Sequence, residues 1–512
     1  MTSRLPAALV LALLASSPAL ARATTRWVPY DYPTLQSAIN ASASGDSIRV
    51  APGAYHESLS LSGKDLSILG APADDLPIVV TTNNTARILD VGAGVTAATL
   101  IAGLDFVQGQ AGQGGAIRIA SGSALRIRRC RFSSNVAHEP GGVALGGAVF
   151  LGKDSRAEVE DCDFASNSAL IRADGLFASG GAIYCDAGAA ITIRRSSFLR
   201  NMAQGFEGGP GGALACQSAA ATLDSCTLAE NTGSTGAINS TLGDLAVRGC
   251  VFRSNQVAYG ASAIEWRGQG SGLLAVRHSV FYDNSSPGYA VVLAQGTGEF
   301  AGNTVAFNRS LSGGAGVEIL GDIAVTSNVV AGNDGVGIEC HGTGTLGCND
   351  VWGNGTSGYG PDCGDPTGLN GNISEDPLFC DATGRDLRLQ VGSPCAPDAS
   401  DCGLRGALGV GCQPTASVID RTVPALALLA PIAPNPLRGS VLFHIEVPAP
   451  ATLRLTVVDA AGRRVATIAD DRFEAGRHDF RWEAGERNAP GVYWALLRGP
   501  GVRQARRFLV VR

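Results

Sequence analysis

The sequence predicts an all-β protein in which a right-handed parallel β-helix solenoid is followed by a small antiparallel β-sandwich. Three observations predict it: a repeated pair of short motifs, brief strands of alternating polarity between them, and a different alternation in the last ~80 residues. The 68 glycines among 512 residues follow no collagen period, and a hydrophobic content of 45% excludes wholesale disorder. The net charge of −6 offers no basic face, so we expect no nucleic-acid partner.

Residues 1–23 have the three parts of a secretory signal peptide. Arg4 supplies a positive charge, residues 7–14 form a short apolar run, and Ala21-Arg22-Ala23 is one of two possible cleavage sites. The apolar run is too short to cross a bilayer, and no later run reaches about 18 residues. We therefore expect a secreted or cell-surface protein without a transmembrane segment in the mature chain, an N-terminal anchor helix being the alternative.

An internal repeat carries the solenoid prediction. In five copies a first motif, Gly-Gly-Ala-Ile in its commonest form, precedes a second motif, Phe-x-x-Asn, by 17 or 18 residues from start to start. The closing Asn recurs in nine copies, at intervals of 21 to 34 residues. Segments such as Ile191–Arg194 alternate between the two motifs and predict half-buried strands. Each copy is thus predicted to be one coil of three strands, with inserted loops of variable length.

The same alignment predicts columns of identical side chains on neighbouring coils. Phe is expected to stack inside the solenoid, and Asn to bond the Asn of the next coil from a left-handed corner. The predicted ladder consists of Phe132, Asn135, Phe164, Asn167, Phe198, Asn201, Asn231, Phe252, Asn255, Phe281 and Asn284. Two further columns contain small residues, among them six cysteines. The first column contains Cys130, Cys162, Cys226 and Cys250, and the second contains Cys185 and Cys216. We expect these cysteines to be buried free thiols, and disulfides between neighbouring coils are the alternative.

The two ends of the solenoid have their own signals. Residues 32–40 predict a short helix begun by Pro33 that covers the first coil, and residues 24–412 are expected to form the solenoid. Disulfides of undetermined connectivity are expected in the irregular last part, which contains Cys340, Cys348, Cys363, Cys380, Cys395, Cys402 and Cys412.

After a linker over residues 413–431, residues 432–512 predict an antiparallel sandwich. Its predicted strands are Val441–Val447, Leu453–Asp459, Asp479–Glu483, Tyr493–Arg498 and Ala505–Val511. Turns are expected at three glycines between these strands. We expect this domain to have a function of its own, and a sandwich that serves only as a spacer is the alternative.

Three resemblances to known families follow from these motifs. The Pro-Thr-Leu-Gln run at residues 33–36, with Gly-Asp and Pro-Gly-x-Tyr motifs after it, resembles the opening of pectin-lyase-like β-helix proteins. The Gly-Gly-Ala-Ile and Phe-x-x-Asn pairs are similar to repeats of chlamydial polymorphic outer-membrane proteins. The C-terminal region resembles type IX secretion sorting domains and flagellar-hook-cap immunoglobulin-like domains, which implies contact with secretion machinery and surface anchoring. That last motif consists of Pro434, Asn435, Pro436, Gly462, Gly476, Gly491 and Tyr493.

No catalytic set is assembled in the sequence. Acids on the coils show no common spacing and are interpreted as solvated, namely Glu160, Asp161, Asp163, Asp186, Glu207, Asp224, Glu230, Glu265, Asp283 and Glu318. His341 is the most suggestive single residue, although a lone His among glycines is usually incidental. No cofactor is evident. Calcium binding is left open, but no set of ligands in the sequence supports it. We therefore expect a non-catalytic surface protein for adhesion or carbohydrate binding; the alternative is a polysaccharide lyase or hydrolase acting in a groove.

Overall fold

The computed structural model describes residues 23–70, 78–139, 142–171, 177–205, 208–413, 428–429, 432, 437, 440–447, 449–460, 462–485, 490–499 and 502–511. Most of the predicted signal peptide, most of the predicted linker, Glu207 and the Pro434-Asn435-Pro436 motif lie outside the described residues. Within the described part, no helix is long and apolar enough to cross a membrane.

Residues 25–359 wind into a β-helix whose coils pair through parallel, in-register strands. The described strands form three long sheets, here called sheets 1, 2 and 3. Sheet 1 contains 23 described strands, which are Thr25–Val28, Ser47–Val50, Leu59–Leu61, Ser67–Gly70, Leu89–Val91, Leu100–Ala102, Ile117–Ile119, Ala124–Arg128, Val149–Leu151, Arg156–Glu160, Ile183–Cys185, Ala190–Arg194, Leu214–Gln217, Ala220–Asp224, Ile238–Thr241, Leu245–Arg248, Ile264–Arg267, Leu273–Arg277, Val292–Ala301, Val317–Thr326, Val336–Cys340, Leu346–Gly347 and Ser357–Tyr359.

Sheets 2 and 3 complete each coil. Among the described residues, sheet 2 has 12 strands, which are Gly53–His56, Ile78–Thr81, Asp105–Val107, Arg131–Ser133, Asp163–Ala165, Ser197–Leu199, Thr227–Ala229, Val251–Arg253, Val280–Tyr282, Thr304–Ala306, Val329–Ala331 and Asp350–Trp352. Sheet 3 has eight in the same described part, which are Gln110–Ala111, Val136–Ala137, Ser168–Leu170, Met202–Gln204, Thr232–Gly233, Gln256–Val257, Ser285–Ser286 and Arg309–Ser310. Inserted loops add the pair Val143–Leu145 and Phe177–Ser179.

The central coils contain four strand segments, whereas the sequence predicted three. Sheet 1 is bent, so each coil crosses it in two pieces, such as Ile117–Ile119 and Ala124–Arg128. In the later coils the two pieces merge into one strand, Val292–Ala301 and then Val317–Thr326. The turn between the two pieces is short, residues 120–123 in this coil, and its residues change from coil to coil, so the repeated motifs do not mark the bend.

The glycine pair of the first motif has two separate functions. Its first residue adopts a left-handed conformation, as at Gly180, where φ is 66°. Its second residue touches the neighbouring coil: a Cβ atom on Gly181 would lie 2.1 Å from the carbonyl oxygen of Gly212. Any side chain at this second position would push neighbouring coils apart.

The interior contains the columns that the repeats predict. Phe164 stacks between Phe132 and Phe198 at centroid distances of 4.6 and 4.8 Å, and Leu228 takes the next rung before Phe252. The Asn column runs continuously from Asn135 to Asn354, each amide Nδ2 donating to Oδ1 of the next Asn at 2.8–3.0 Å. The six thiols of the coil columns are buried and free.

Both ends of the solenoid are covered. At the N-terminal end the helix spans Leu35–Ala41, with Thr34 as its N-cap, and buries Leu35, Ala38 and Ile39. It starts two residues after Pro33 because the Thr34 side chain accepts the Ser37 N–H in a capping box. At the other end, residues 361–412 contain the short 3-10 helix Pro361–Cys363 and the strands Phe379–Asp381, Asp386–Gln390 and Val410–Cys412.

This C-terminal cap folds back over the outward face of sheet 2. Its Phe379, Leu387 and Leu389 pack on Val280 and Val329 of the last coils. Three disulfides hold it: Cys340–Cys363, Cys348–Cys402 and Cys380–Cys412. The expectation of a disulfide was wrong for Cys395, which is a buried free thiol.

Residues 428–511 form two antiparallel sheets that enclose a second core. Sheet 4 is Leu428–Leu429, Ser440–Val447 and Gly476–Glu483, and sheet 5 is Ala451–Asp459, Arg464–Phe473, Gly491–Gly499 and Val502–Val510. The strand Arg464–Phe473 was missed because both of its faces are largely exposed and its polarity hardly alternates. Gly462, Gly476 and Gly491 lie at or beside strand ends, and the Tyr493 ring is buried between the sheets.

Candidate active-site face on sheet 1

The last coils of sheet 1 place polar side chains in two outward rows. Residues two apart on a strand face the same side, so the register alone defines these rows. The first row consists of Asn239, Glu265, Leu293, Glu318 and Glu339. The second consists of Thr241, Arg267, Gln295 and Leu320. His341 extends the second row, because its N–H donates to the carbonyl of Ile319 at 2.7 Å.

Glu265 and Arg267 form a fixed ion pair at one end of these rows. Arg267 Nε donates to Glu265 Oε1 at 3.0 Å, and Arg267 Nη1 donates to Oε1 of Gln295 at 3.1 Å. Glu265 is only 5% exposed, and its Oε2 also accepts the Ala261 N–H at 3.3 Å. The carboxylate lies over Gly260, where a Cβ atom would come within 2.1 Å of Oε2. Glu265 therefore orients Arg267 and is itself held away from solvent.

Glu318 lies in a different environment two strands further on. Its carboxyl group is half-buried, and this burial raises the pKa of Glu318, an effect that the nearby His341 partly offsets. His341 Nε2 lies 3.9 Å from Glu318 Oε1. Glu339 is on the adjacent strand, about 4.8 Å away along the sheet, and also raises the pKa of Glu318. The site thus contains a carboxyl group whose pKa is raised, next to a second, partly exposed carboxyl group.

A disulfide brings the remaining polar groups to this face. Cys340 ends the strand that carries Glu339, and it bonds Cys363 at the end of the 3-10 helix. The neighbours of these two cysteines meet: His341 Nδ1 lies 3.4 Å from Asp362 Oδ2. His341 is therefore bracketed by Glu318 on one side and Asp362 on the other.

Two exposed aromatic rings lie at the corner that leads into the rows. Tyr259 is 61% exposed and precedes the strand of Glu265, and Tyr289 is 46% exposed and precedes the strand of Leu293. Ala261 and Ala290, which follow the two tyrosines closely in the chain, belong with Leu293 and Ala315 to one buried apolar cluster. Exposed aromatic rings beside convergent polar groups are typical of sites that bind sugar rings.

The structure corrects the interpretation of the coil acids as unrelated solvated residues. It places Glu265 and Glu318 two strands apart in one outward row, and His341 lies 3.9 Å from Glu318. Sequence reasoning missed Arg267, Glu339 and Asp362. The aligned pairs Ile264-Glu265, Val317-Glu318 and Ile338-Glu339 were the available signal, but the loops of unequal length between them hid the register.

The other candidate acids lie apart from this face and are engaged elsewhere. Glu160 and Asp161 pair with Arg195, and Asp163 accepts the Ser197 hydroxyl. Asp283 binds Arg385 of the cap at 2.7 Å. The remaining described acids have local partners: Asp186 with the Ala187 N–H, Asp224 with Ser225 and Glu230 with Arg200. In the described part of the chain, no group of three His, Cys, Asp or Glu residues could hold a metal ion.

The fold is that of a right-handed parallel β-helix, and this face gives it an outward polar site. A family model described as "Right handed beta helix region" matches residues 91–256 and 181–354, which together make up just over half of the chain. The protein belongs to this right-handed β-helix family. A comparison with curated proteins finds no match.

Two solved structures show a distant likeness. The periplasmic alginate epimerase AlgG has 10% identity and a TM-score of 0.32, with 64% of this chain and 75% of that chain covered. The enzymatically active domain of tailspike protein 4 from bacteriophage CBA120 has 11% identity and a TM-score of 0.26, with 91% of this chain and 64% of that chain covered. Identities this low say nothing about substrate.

Proposed function

We propose that the protein hydrolyses a polysaccharide bound along the outward rows of sheet 1. The observation that carries this proposal is the half-buried Glu318, whose pKa is raised, next to Glu339 and the fixed Glu265–Arg267 pair. Two carboxyl groups whose environments differ can divide the roles of acid and base. This proposal takes up the enzyme alternative that the sequence left open.

In this mechanism Glu318 is the general acid. It donates its proton to the glycosidic oxygen as the bond to the anomeric carbon breaks. Glu339, which is in register with Glu318 on the neighbouring strand, attacks the anomeric carbon from the opposite side and forms a glycosyl-enzyme ester as the leaving sugar departs. This assignment corresponds to retaining glycoside hydrolysis, in which the second carboxylate forms a covalent glycosyl-enzyme intermediate that water then hydrolyses. Water finally supplies the hydroxyl group of the new reducing end and returns a proton to Glu318.

The neighbouring polar residues have supporting functions. Arg267 is held by Glu265 and Gln295, so it presents a fixed positive charge to sugar hydroxyls. His341 is a positioning residue that keeps the Glu318 carboxyl group in place from 3.9 Å. Glu265 is too buried to reach substrate, and its function is to orient Arg267.

A depolymerisation screen tests this proposal. Wild-type protein is incubated with a panel of plant, algal and bacterial polysaccharides, with and without calcium, and new reducing ends are counted. Glu318→Gln is expected to lower kcat by roughly 10²–10⁴, as for loss of a general acid. The matched control is Glu158→Gln, an exposed residue of the same sheet seven coils before the end. If Glu318→Gln cleaves the polysaccharide at the wild-type rate, Glu318 is not the general acid.

A second candidate function is glycan binding without cleavage, and the exposure of Tyr259 and Tyr289 favours it. Under this candidate, the wild-type protein retards a polysaccharide in affinity electrophoresis while releasing no reducing ends. Replacing both tyrosines by Ala should weaken binding at least ten-fold, since stacking surface is lost. Tyr30→Ala, which removes a still more exposed ring near the N-terminal end of the solenoid, is the control.

We further propose that the protein is exported and that residues 432–512 address it to secretion machinery or a cell surface. The three disulfides support an oxidising compartment. The signal-peptide pattern of residues 1–23 and the resemblance of the C-terminal region to sorting domains also support export. Fractionation of cells expressing the chain with and without residues 432–512 tests the C-terminal function. Unchanged secretion and surface retention of the shortened chain would leave this region as a spacer.

A further inference from the structure

The polar face of sheet 1 extends far beyond Glu318 on one side. The second outward row continues back through the register from Gln295 and Arg267 to Thr241 and Gln217. The strand of Gln217 lies four strands before that of Glu318, or about 19 Å at a strand spacing of about 4.8 Å. A chain molecule lying along the rows therefore meets four polar rungs before it reaches the candidate catalytic pair.

On the other side of the pair the face ends almost at once. Glu339 lies one strand after Glu318, and the sole described strand that pairs beyond it is Ser357–Tyr359. Gly360 comes next to Glu339, and a Cβ atom on it would lie 2.2 Å from Glu339 Oε1. The two carboxyl groups thus lie at one end of the polar rows and not in their middle.

An inserted strand borders the far end of the second row. The first row is apolar in these earlier coils, where Phe150 stacks on Tyr184 at a centroid distance of 5.8 Å. Leu145 of the inserted strand Val143–Leu145 packs with both rings in one buried cluster. The Tyr184 hydroxyl still reaches the second row and donates to Gln217 Oε1 at 2.8 Å. Gln217 is therefore an exposed rung held in place from a covered wall.

The hydrogen bonds of the second row orient two side-chain amides in the same sense. Gln217 accepts from Tyr184, and Gln295 accepts from Arg267 Nη1 at 3.1 Å, in each case through Oε1. An amide whose oxygen is engaged keeps its Nε2 hydrogens for another partner. Of the four row side chains only Arg267 is charged, and Glu265 pairs with it. The row thus presents fixed donors with little net charge, which suit the hydroxyl and ring oxygens of an uncharged sugar chain.

We propose, as an extension that rests on the hydrolase function above, that the substrate is a long uncharged polysaccharide bound asymmetrically. A strand spacing of about 4.8 Å is close to the length of one sugar in an extended chain, so each coil binds roughly one sugar. Four sugars then lie along the rungs from Gln217 to Gln295 on one side of the cleaved bond, and a short stretch lies on the other. Gln217 binds the most distant of these sugars, and Tyr184 is its positioning residue.

Calorimetric titration of Glu318→Gln, in which cleavage is slowed, measures the dependence on chain length. The probes are the trimer and the hexamer of four uncharged glycans: cellulose, xylan, mannan and chitin. For a glycan that binds, the hexamer should bind at least ten-fold more tightly than the trimer, because it alone spans the row from Glu318 to Gln217.

Adding Gln217→Leu to this protein should remove most of that gain, and adding Tyr184→Phe should remove part of it. Neither change should affect binding of the trimer, which also shows that the variants are folded. The matched control is Gln256→Leu, which replaces an exposed glutamine on sheet 3 and should leave both probes unchanged.

Cleavage of the end-labelled hexamer by the wild-type protein tests the asymmetry. We expect unequal fragments, and fragments of equal length as the main products would overturn the proposal. So would equal binding of trimer and hexamer, unchanged hexamer binding after Gln217→Leu, or no binding of any probe. Length-dependent binding without cleavage would refute the hydrolase assignment and leave the asymmetric site standing, whereas cleavage without length dependence would do the reverse.

Discussion

The Cys395 thiol donates a hydrogen bond to Asp350, with Sγ 3.0 Å from Oδ2, in the buried seam between the last coil and the C-terminal cap. Burial raises the pKa of Asp350 to about 6 and also raises the pKa of the Cys395 thiol. The Glu375 N–H donates to the other carboxylate oxygen at 3.1 Å. Cys395 thus has a hydrogen-bond partner where the sequence predicted a disulfide partner.

This pair predicts an unusual pH dependence of stability. The pKa of Asp350 is about 6 in the fold and near 3.8 in the unfolded chain. Between these values the folded state binds more protons, so stability falls as the pH rises through the window. The wild type should gain about 2–3 kcal/mol from this group between pH 7 and pH 4, and Asp350→Asn should remove that gain. Urea unfolding at a series of pH values measures the difference; parallel curves for the two proteins would contradict it.

The Asn column predicts a large cost for losing one rung. Asn201 Oδ1 accepts both the backbone N–H and the side-chain Nδ2 of Asn167, and its own Nδ2 donates to the Phe164 carbonyl. Asn201→Ala leaves these buried groups unmatched and should lower the free energy of unfolding by about 3 kcal/mol or more. Chemical denaturation measures this. Asn40→Ala, on the exposed surface of the N-terminal helix, is the matched control and should cost under about 1 kcal/mol.

The Phe column allows a comparison of size at one rung. Phe164 is fully buried between two stacked rings, whereas Leu228 occupies the same inward position two coils later. Phe164→Ala should destabilise the protein by about 3–5 kcal/mol because it leaves a cavity. Phe164→Leu copies the natural Leu rung and should cost well under half as much. Equal melting temperatures for the two variants would mean that this rung is not close-packed.

The disulfide Cys340–Cys363 should affect the candidate site more than the other bridges do. It joins segments 23 residues apart, and its removal should cost about 3 kcal/mol of stability. It also positions His341 and Asp362, so the double Ser variant should lose glycan cleavage or binding. The double Ser variant of Cys380 and Cys412, whose bridge closes 32 residues within the cap, should be destabilised to a similar degree while retaining that function. Equal functional loss in both variants would assign only a structural role to Cys340–Cys363.

The repeat could be recognised in the sequence because each coil packs on its neighbours through the same residue types at the same positions. Gly181 must approach Gly212, and Asn201 must bond Asn231, so identity along the chain directly reports register. The bend in sheet 1 has no such marker, and the strand Arg464–Phe473 has too little alternation to be recognised.

The candidate site was not predictable in the same way. Glu265 and Glu318 are 53 residues apart in the chain. They share one outward row only because both align with Leu293 on the coil between them. Asp362 reaches His341 through a disulfide whose pairing the sequence left open. The contact between sandwich and solenoid depends on alternate residues of strand Gly491–Gly499, and alternation alone does not reveal which face will be covered.

The continuous Asn column also bears on how such a chain can change over evolutionary time. Every internal Asn accepts from the coil before it and donates to the coil after it, so every junction of this column is made by the same donor and acceptor. Duplication or loss of a whole coil leaves every remaining junction intact. Coils outside the stretch from Val280 to Val329, which the C-terminal cap covers, can therefore be gained or lost one at a time without redesigning either end.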